Sequence, residues 1–114
     1  MTWTTGYLTE LVALLRARRG DTTDVEVKSA AGGCPSLSAT LCAFANMPDG
    51  GSIILGLDET AGFTPVDLED IATLEQGVVA QAREAVTPPV SCTFQTLEFQ
   101  RSPCLLYTSP SPRD

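Results

Sequence analysis

The chain contains no histidine. That removes Ser-His-Asp and Cys-His nucleophilic machinery, and every imidazole-ligated metal site, from its own residues. A metal ion would have to sit on carboxylates or thiolates. The four cysteines, Cys34, Cys42, Cys92 and Cys104, include no C-x-x-C pair, so they read as small thiols rather than a zinc or disulfide framework. No apolar run approaches the ~20 residues of a bilayer-spanning helix. The N-terminus lacks the basic start and apolar centre of a secretory signal. A reducing cytoplasm and no membrane partner are therefore expected.

Basic residues are also scarce, 7 Lys and Arg against 14 Asp and Glu, for a formal charge of −7. This balance argues against broad electrostatic attraction to nucleic acid or to an anionic membrane, which leaves a basic footprint. Arg16, Arg18 and Arg19 nevertheless cluster near the start, whereas Asp67, Glu69, Asp70 and Glu75 crowd a later segment. The plain reading of the arginines is a basic last turn that complements a helix dipole.

What is present is the composition of one globular domain: 114 residues, 43% hydrophobic and 18% charged. Leu8, Leu11, Val12 and Leu15 repeat at helical spacing, so a first helix is predicted from a Thr4 or Thr5 cap to about Arg19. Val25-Glu26-Val27-Lys28 alternates as a half-buried strand. Ser36 begins a second helix, with Leu37, Leu41 and Phe44 on one face, that stops near Asn46. Ser52 to Leu57 is an unbroken aliphatic run typical of a central strand. Asp67 to Val86 reads as a third helix with a bend at Gly77. Pro88 and Pro89 end it, and Val90 to Phe94 is a strand, with Leu97 and Phe99 in a partner strand. The order α-β-α-β-α-β-β implies an α+β fold, a mixed α/β sandwich in which about three helices cover a small sheet.

Cys104 to Asp114 resembles one translated reading frame of a sequencing-library adaptor. On that resemblance the domain spans 1–103 and is incomplete at its C-terminal end. Residues 104–114 are then a non-native tail outside the fold.

Three pieces carry a second resemblance: Asp21-x4-Glu26-Val27-Lys28, then Leu41-Cys-Ala-Phe-Ala-Asn46, then Gly50-Gly51-Ser-Ile-Ile-Leu-Gly-Leu57-Asp58-Glu59. In this order they resemble the Schlafen-type AlbA domain, over about residues 8–100. Val27 stands where the family has phenylalanine, and Asn46 to Gly51 is one residue longer than the commoner N-x-x-G-G. The family's closing strand is expected near or beyond Pro103. The resemblance implies a DNA-binding or other nucleic-acid-binding module, the N-terminal part of a larger bacterial transcriptional regulator or ATP-binding protein. ATP would enter only through downstream sequence, since no P-loop is present here.

On this reading Gly50 and Gly51 bring backbone N–H groups close to a phosphate, Asn46 adds an amide, and Lys28 with Arg16, Arg18 and Arg19 adds cations. The plainer alternatives are a helix-to-strand turn that needs glycine and a surface ion pair for Lys28. Animal relatives of the family are associated with an endoribonuclease activity that uses an acidic trio. Asp21, Glu26 and Asp58 match it in part, and three converging carboxylates suit Mg²⁺ or Mn²⁺. No cofactor is otherwise expected. A third class, a protein-interaction domain or homo-oligomer pairing through an exposed sheet, fits the acidic charge best.

Overall fold

The computed structural model describes residues 4–18, 24–30, 32–47, 50–68, 70–85, 93–100 and 102–109. Three helices pack on a mixed four-stranded sheet, in the chain order α1 (Thr5–Arg18), β1 (Val25–Lys28), α2 (Ser38–Ala45), β2 (Gly51–Leu55), β3 (Leu57–Asp58), a 3-10 turn (Glu59–Ala61), β4 (Thr64–Pro65), α3 (Ile71–Ala85), β5 (Thr93–Phe99) and β6 (Ser102–Ser109). The spatial strand order is β1-β2-β6-β5, with β3 and β4 forming a separate hairpin. β1 and β2 run parallel, joined through α2, while β6 is antiparallel to both of its neighbours. Among the described residues no helix is long and apolar enough to cross a membrane.

The period-two pattern of the strands builds two cores, one on each side of the sheet. Ile54, Cys104 and Leu106 point to the face covered by Leu8, Val12 and Leu15 of α1, where Val25, Val27, Leu57, Phe63 and Phe99 join them. Their sequence neighbours Ile53, Leu55, Leu105 and Tyr107 point the other way, against Leu37, Leu41 and Phe44 around α2 and Leu74, Val78 and Ala82 of α3. A strand covered on both faces needs consecutive apolar residues, which is why Ile53-Ile54-Leu55 and Cys104-Leu105-Leu106-Tyr107 are unbroken runs.

The helix limits are set by hydrogen bonds. Thr4 caps α1: its hydroxyl accepts the Tyr7 N–H at 3.1 Å and its carbonyl accepts the Leu8 N–H at 3.0 Å. α2 starts at Ser38 rather than Ser36, because the Leu37 N–H donates to Gln81 Oε1 of α3 at 2.6 Å and no side chain of its own segment caps it. α3 starts at Ile71 rather than Asp67. Asp70 is its cap, accepting the Thr73 N–H at 3.1 Å and the Thr73 hydroxyl at 2.7 Å, and these bonds hold its carboxyl below the usual carboxylate range. Gly77 does not end or divide α3; a Cβ there would lie 2.9 Å from Cys34 Sγ, so the glycine makes room for the loop before α2.

Three further expectations are corrected. The run from Ser52 to Leu57 is broken at Gly56, whose φ of +116° turns the chain from β2 into β3. Leu97 and Phe99 belong to the same strand as Phe94, and their partner is β6; Val90 lies outside the described residues. Cys104 to Ser109, set outside the fold by its adaptor-like sequence, is the greater part of the inner strand β6. A strand covered on both faces asks for consecutive apolar side chains, and Cys104-Leu105-Leu106-Tyr107 supplies them.

Gly51→Ala is expected to destabilise the fold by about 1–3 kcal/mol in denaturant unfolding, because its Cβ would lie 2.5 Å from the Phe44 ring. Burial pushes the Cys104 thiol up to about 11, so it should stay protonated and unlabelled by thiol reagents at pH 8 while exposed Cys34 and Cys42 react. The sign follows from the neutral form being favoured in the fold: this contribution to stability is complete below the ordinary thiol value and is lost as pH rises toward 11. Peptide mapping after labelling, and unfolding curves at rising pH, check both.

Candidate functional site

The parallel pair β1 and β2 brings both carboxyl ends to one edge of the sheet, the position where open α/β sheets place their ligand crevices. Here Gly56 N–H donates to the Lys28 carbonyl at 2.9 Å and leads β3 back across the end of β1. The result is an open depression of about 270 Å³ lined by Glu26, Val27, Lys28, Ser29, Asp58, Glu59 and Thr60. Sequence reasoning named Glu26, Lys28 and Asp58 for this region. It assigned no role to Ser29, Glu59 or Thr60, although their positions directly after the two strands were a signal of the same kind.

The groups of the depression are largely engaged with one another. Lys28 Nζ lies 3.3 Å from Glu26 Oε1, a pair made possible because residues two apart on a strand share a face. Asp58 Oδ1 accepts both the Thr60 N–H at 3.0 Å and the Thr60 hydroxyl at 2.6 Å, which starts the 3-10 turn. The rim is therefore acidic, with Lys28 as its cation. Glu26 and Asp58 line the same depression, but among the described residues no three carboxylates or thiolates come together to hold a metal ion. Asp21, the third acid expected with them, lies outside the described residues.

The hairpin that carries Asp58 to Thr60 is tied to α1 by Arg16. Arg16 Nε donates to the Gly62 carbonyl at 2.9 Å and Nη2 to the Phe63 carbonyl at 3.3 Å. Its guanidinium carbon lies 5.5 Å from the centre of the Phe99 ring. Phe63 needs such support, since a bulky residue at φ +60° is strained. Its N–H donates to the Asp58 carbonyl at 2.8 Å, so the turn held by Arg16 continues directly into the depression.

The Gly50 and Gly51 region lies at the opposite end of β2, about 13 Å away along the strand. The groups expected to meet a phosphate are used there by the protein. Asn46 Nδ2 donates to the Cys42 carbonyl at 2.9 Å at the end of α2, Gly50 N–H donates to the Met47 carbonyl at 3.1 Å, and Gly51 packs under Phe44 and pairs with Ser109. Arg18 is exposed at the end of α1, on a different element from Lys28. Arg19 lies outside the described residues. The structure thus groups Glu26, Lys28 and Asp58 and separates them from Asn46, Gly50 and Gly51.

A comparison with curated proteins finds no match. The solution NMR structure of the N-terminal domain of a RecG-related protein from Nitrosomonas europaea is similar at 27% identity and a TM-score of 0.71, covering 90% of this chain and 72% of that one. The DIP2311 protein of Corynebacterium diphtheriae shares the fold at 19% identity and a TM-score of 0.53, over 93% of this chain and 23% of that much longer one. The family model for Schlafen, AlbA_2 matches residues 21–112, a span that takes in both parallel strands, the depression and β6. The chain belongs to the Schlafen AlbA_2 family.

Proposed function

We propose that this domain is a nucleic-acid-binding module, a DNA-binding one in the first instance, within a longer bacterial protein of the regulator or ATP-binding kind. The observation that carries the reading is the likeness, 27% identical over 90% of the chain, to the N-terminal domain of a protein named as related to an ATP-dependent DNA helicase. The depression at the ends of β1 and β3 is the contact region on this reading. Lys28 offers a point charge to a backbone phosphate there, with the Ser29 and Thr60 hydroxyls beside it. A single lysine among Glu26, Asp58 and Glu59 makes a weak phosphate site, so affinity is modest and falls with salt at a log–log slope of only about −1. ATP belongs to sequence beyond this domain.

The ribonuclease alternative has one observation in its favour, that Glu26 and Asp58 line the same depression. The two readings part in one experiment. Fluorescence anisotropy with labelled DNA and RNA across a salt series is expected to show binding, with Lys28→Gln lowering the salt slope by about 1. Absence of any binding at low salt overturns the reading. Cleavage of structured RNA that requires Mg²⁺ or Mn²⁺ and disappears in Glu26→Ala would establish the enzyme instead.

Arg16 gives a second test, because the clamp and a phosphate contact make opposite demands on it. Arg16→Lys keeps the charge but loses the fork that reaches both the Gly62 and Phe63 carbonyls. If Arg16 serves the hairpin, amide exchange at Asp58 to Phe63 rises in Arg16→Lys as it does in Arg16→Gln, and the salt slope of binding stays as it was. Unchanged exchange in both variants, with a lower slope in Arg16→Gln alone, would make it a phosphate contact.

A further inference from the structure

Helix α1 has an outer face that its own core leaves unused. Leu8, Val12 and Leu15 are buried against the sheet, whereas Leu14 is 49% and Tyr7 38% exposed, the exposed large hydrophobic residues among those described. They stand seven residues apart on one side of the helix, with half-buried Leu11 between them. Around Leu14 the exposed residues are small or charged. Glu10, Ala13, Leu14 and Ala17 occupy positions i, i+3, i+4 and i+7, the four corners of a hole that receives a knob from a facing helix. Glu10 and Arg18 lie four residues before and after Leu14, both exposed, and neither has an ion-pair partner among the described residues.

This pattern is complementary to itself under one symmetry operation. When two copies of α1 lie antiparallel across a two-fold axis beside Leu14, each Leu14 meets the alanine-lined hole of the other. The same operation brings Glu10 of one copy level with Arg18 of the other, twice. A parallel pairing would set Glu10 level with Glu10 and Arg18 with Arg18, so charge selects the antiparallel arrangement. We propose that α1 is a homodimerisation surface, centred on Leu14 and oriented by reciprocal Glu10 and Arg18 ion pairs. The occupant is a second copy of this chain. A 14-residue helix is about 21 Å long, and one such pair buries less than the ~1,200 Å² at the lower limit of a standard interface. The dimer is accordingly a weak one, formed at high concentration or when a longer parent chain holds two copies together. This inference is independent of nucleic-acid binding, and it uses Arg18 rather than Lys28.

Sedimentation equilibrium of the full chain, over a wide concentration range at low salt, tests it. The unaltered chain is expected to dimerise, and Leu14→Gln, a substitution at an exposed position, to remain monomeric with an unchanged circular dichroism spectrum. Glu10→Arg and Arg18→Glu are each expected to weaken the dimer roughly tenfold, and the double variant to restore it. Glu10→Arg is the sharper of the two, since it reduces the net negative charge and would strengthen association on general electrostatic grounds. A chain that stays monomeric throughout, a dimer that survives Leu14→Gln, or a double variant that fails to recover overturns the proposal.

Discussion

The antiparallel pairing of β6 with β2 is the constraint on which the remaining structure rests. β6 lies between β2 and β5, so it joins the parallel βαβ unit to the strand that precedes it in the chain. Through alternate side chains it also feeds both cores: Cys104 and Leu106 pack under α1, and Leu105 and Tyr107 under α2 and α3. Tyr107 adds an edge-on contact with Phe94 of β5, ring centres 5.5 Å apart. Displacing this strand would open both cores at once and leave β2 and β5 with unpaired backbone. The segment meets these demands because they are demands on pattern, namely four consecutive apolar residues for a strand covered on both faces.

The parallel arrangement of β1 and β2 then decides where chemistry can gather. It sends Gly50, Gly51 and Asn46 to one end of the sheet and Lys28, Asp58 and Thr60 to the other. At the first end Asn46 Nδ2 and the Gly50 N–H bond to the Cys42 and Met47 carbonyls, and Gly51 seats β2 under Phe44. At the second, the chain reverses through Gly56, and acids from two strands face a shared depression. Glycines close together in sequence thus serve different purposes: Gly51 yields space to an aromatic ring, while Gly56 supplies a turn.

Charge is likewise divided by the fold. Arg16 and Arg18, two of the three arginines that look like one basic patch in the sequence, do not act together in the structure. Arg16 spends its guanidinium on the Gly62 and Phe63 carbonyls and the Phe99 ring, supporting the strained turn behind the depression. Arg18 stands exposed on the outer side of α1, level with Glu10 only if a second helix runs the other way. Of the four basic side chains among the described residues, Arg16 serves as a clamp and Lys28 is paired with Glu26.

The sequence by itself determined the three helices and the strands β1, β2 and β5 as types, and the limits of α1 and β1. Residues Val25 to Lys28 alternate so strictly that the strand is exact, and the buried leucine and valine spacing of α1 leaves little choice of face. Family membership was legible in three short pieces because each carries a local requirement: a strand pattern, a helix end, a glycine-rich turn. Tertiary structure alone decided the rest. It gave the Leu37 N–H at the start of α2 to Gln81, 44 residues away, and gave Gly77 to the packing of Cys34. It also placed Cys104 to Ser109 inside the sheet. These depend on which surfaces meet, and no local propensity encodes a partner distant in the chain. The same holds for the site: Glu26 and Asp58 are 32 positions apart, and only the return of β3 across the end of β1 puts them on one wall.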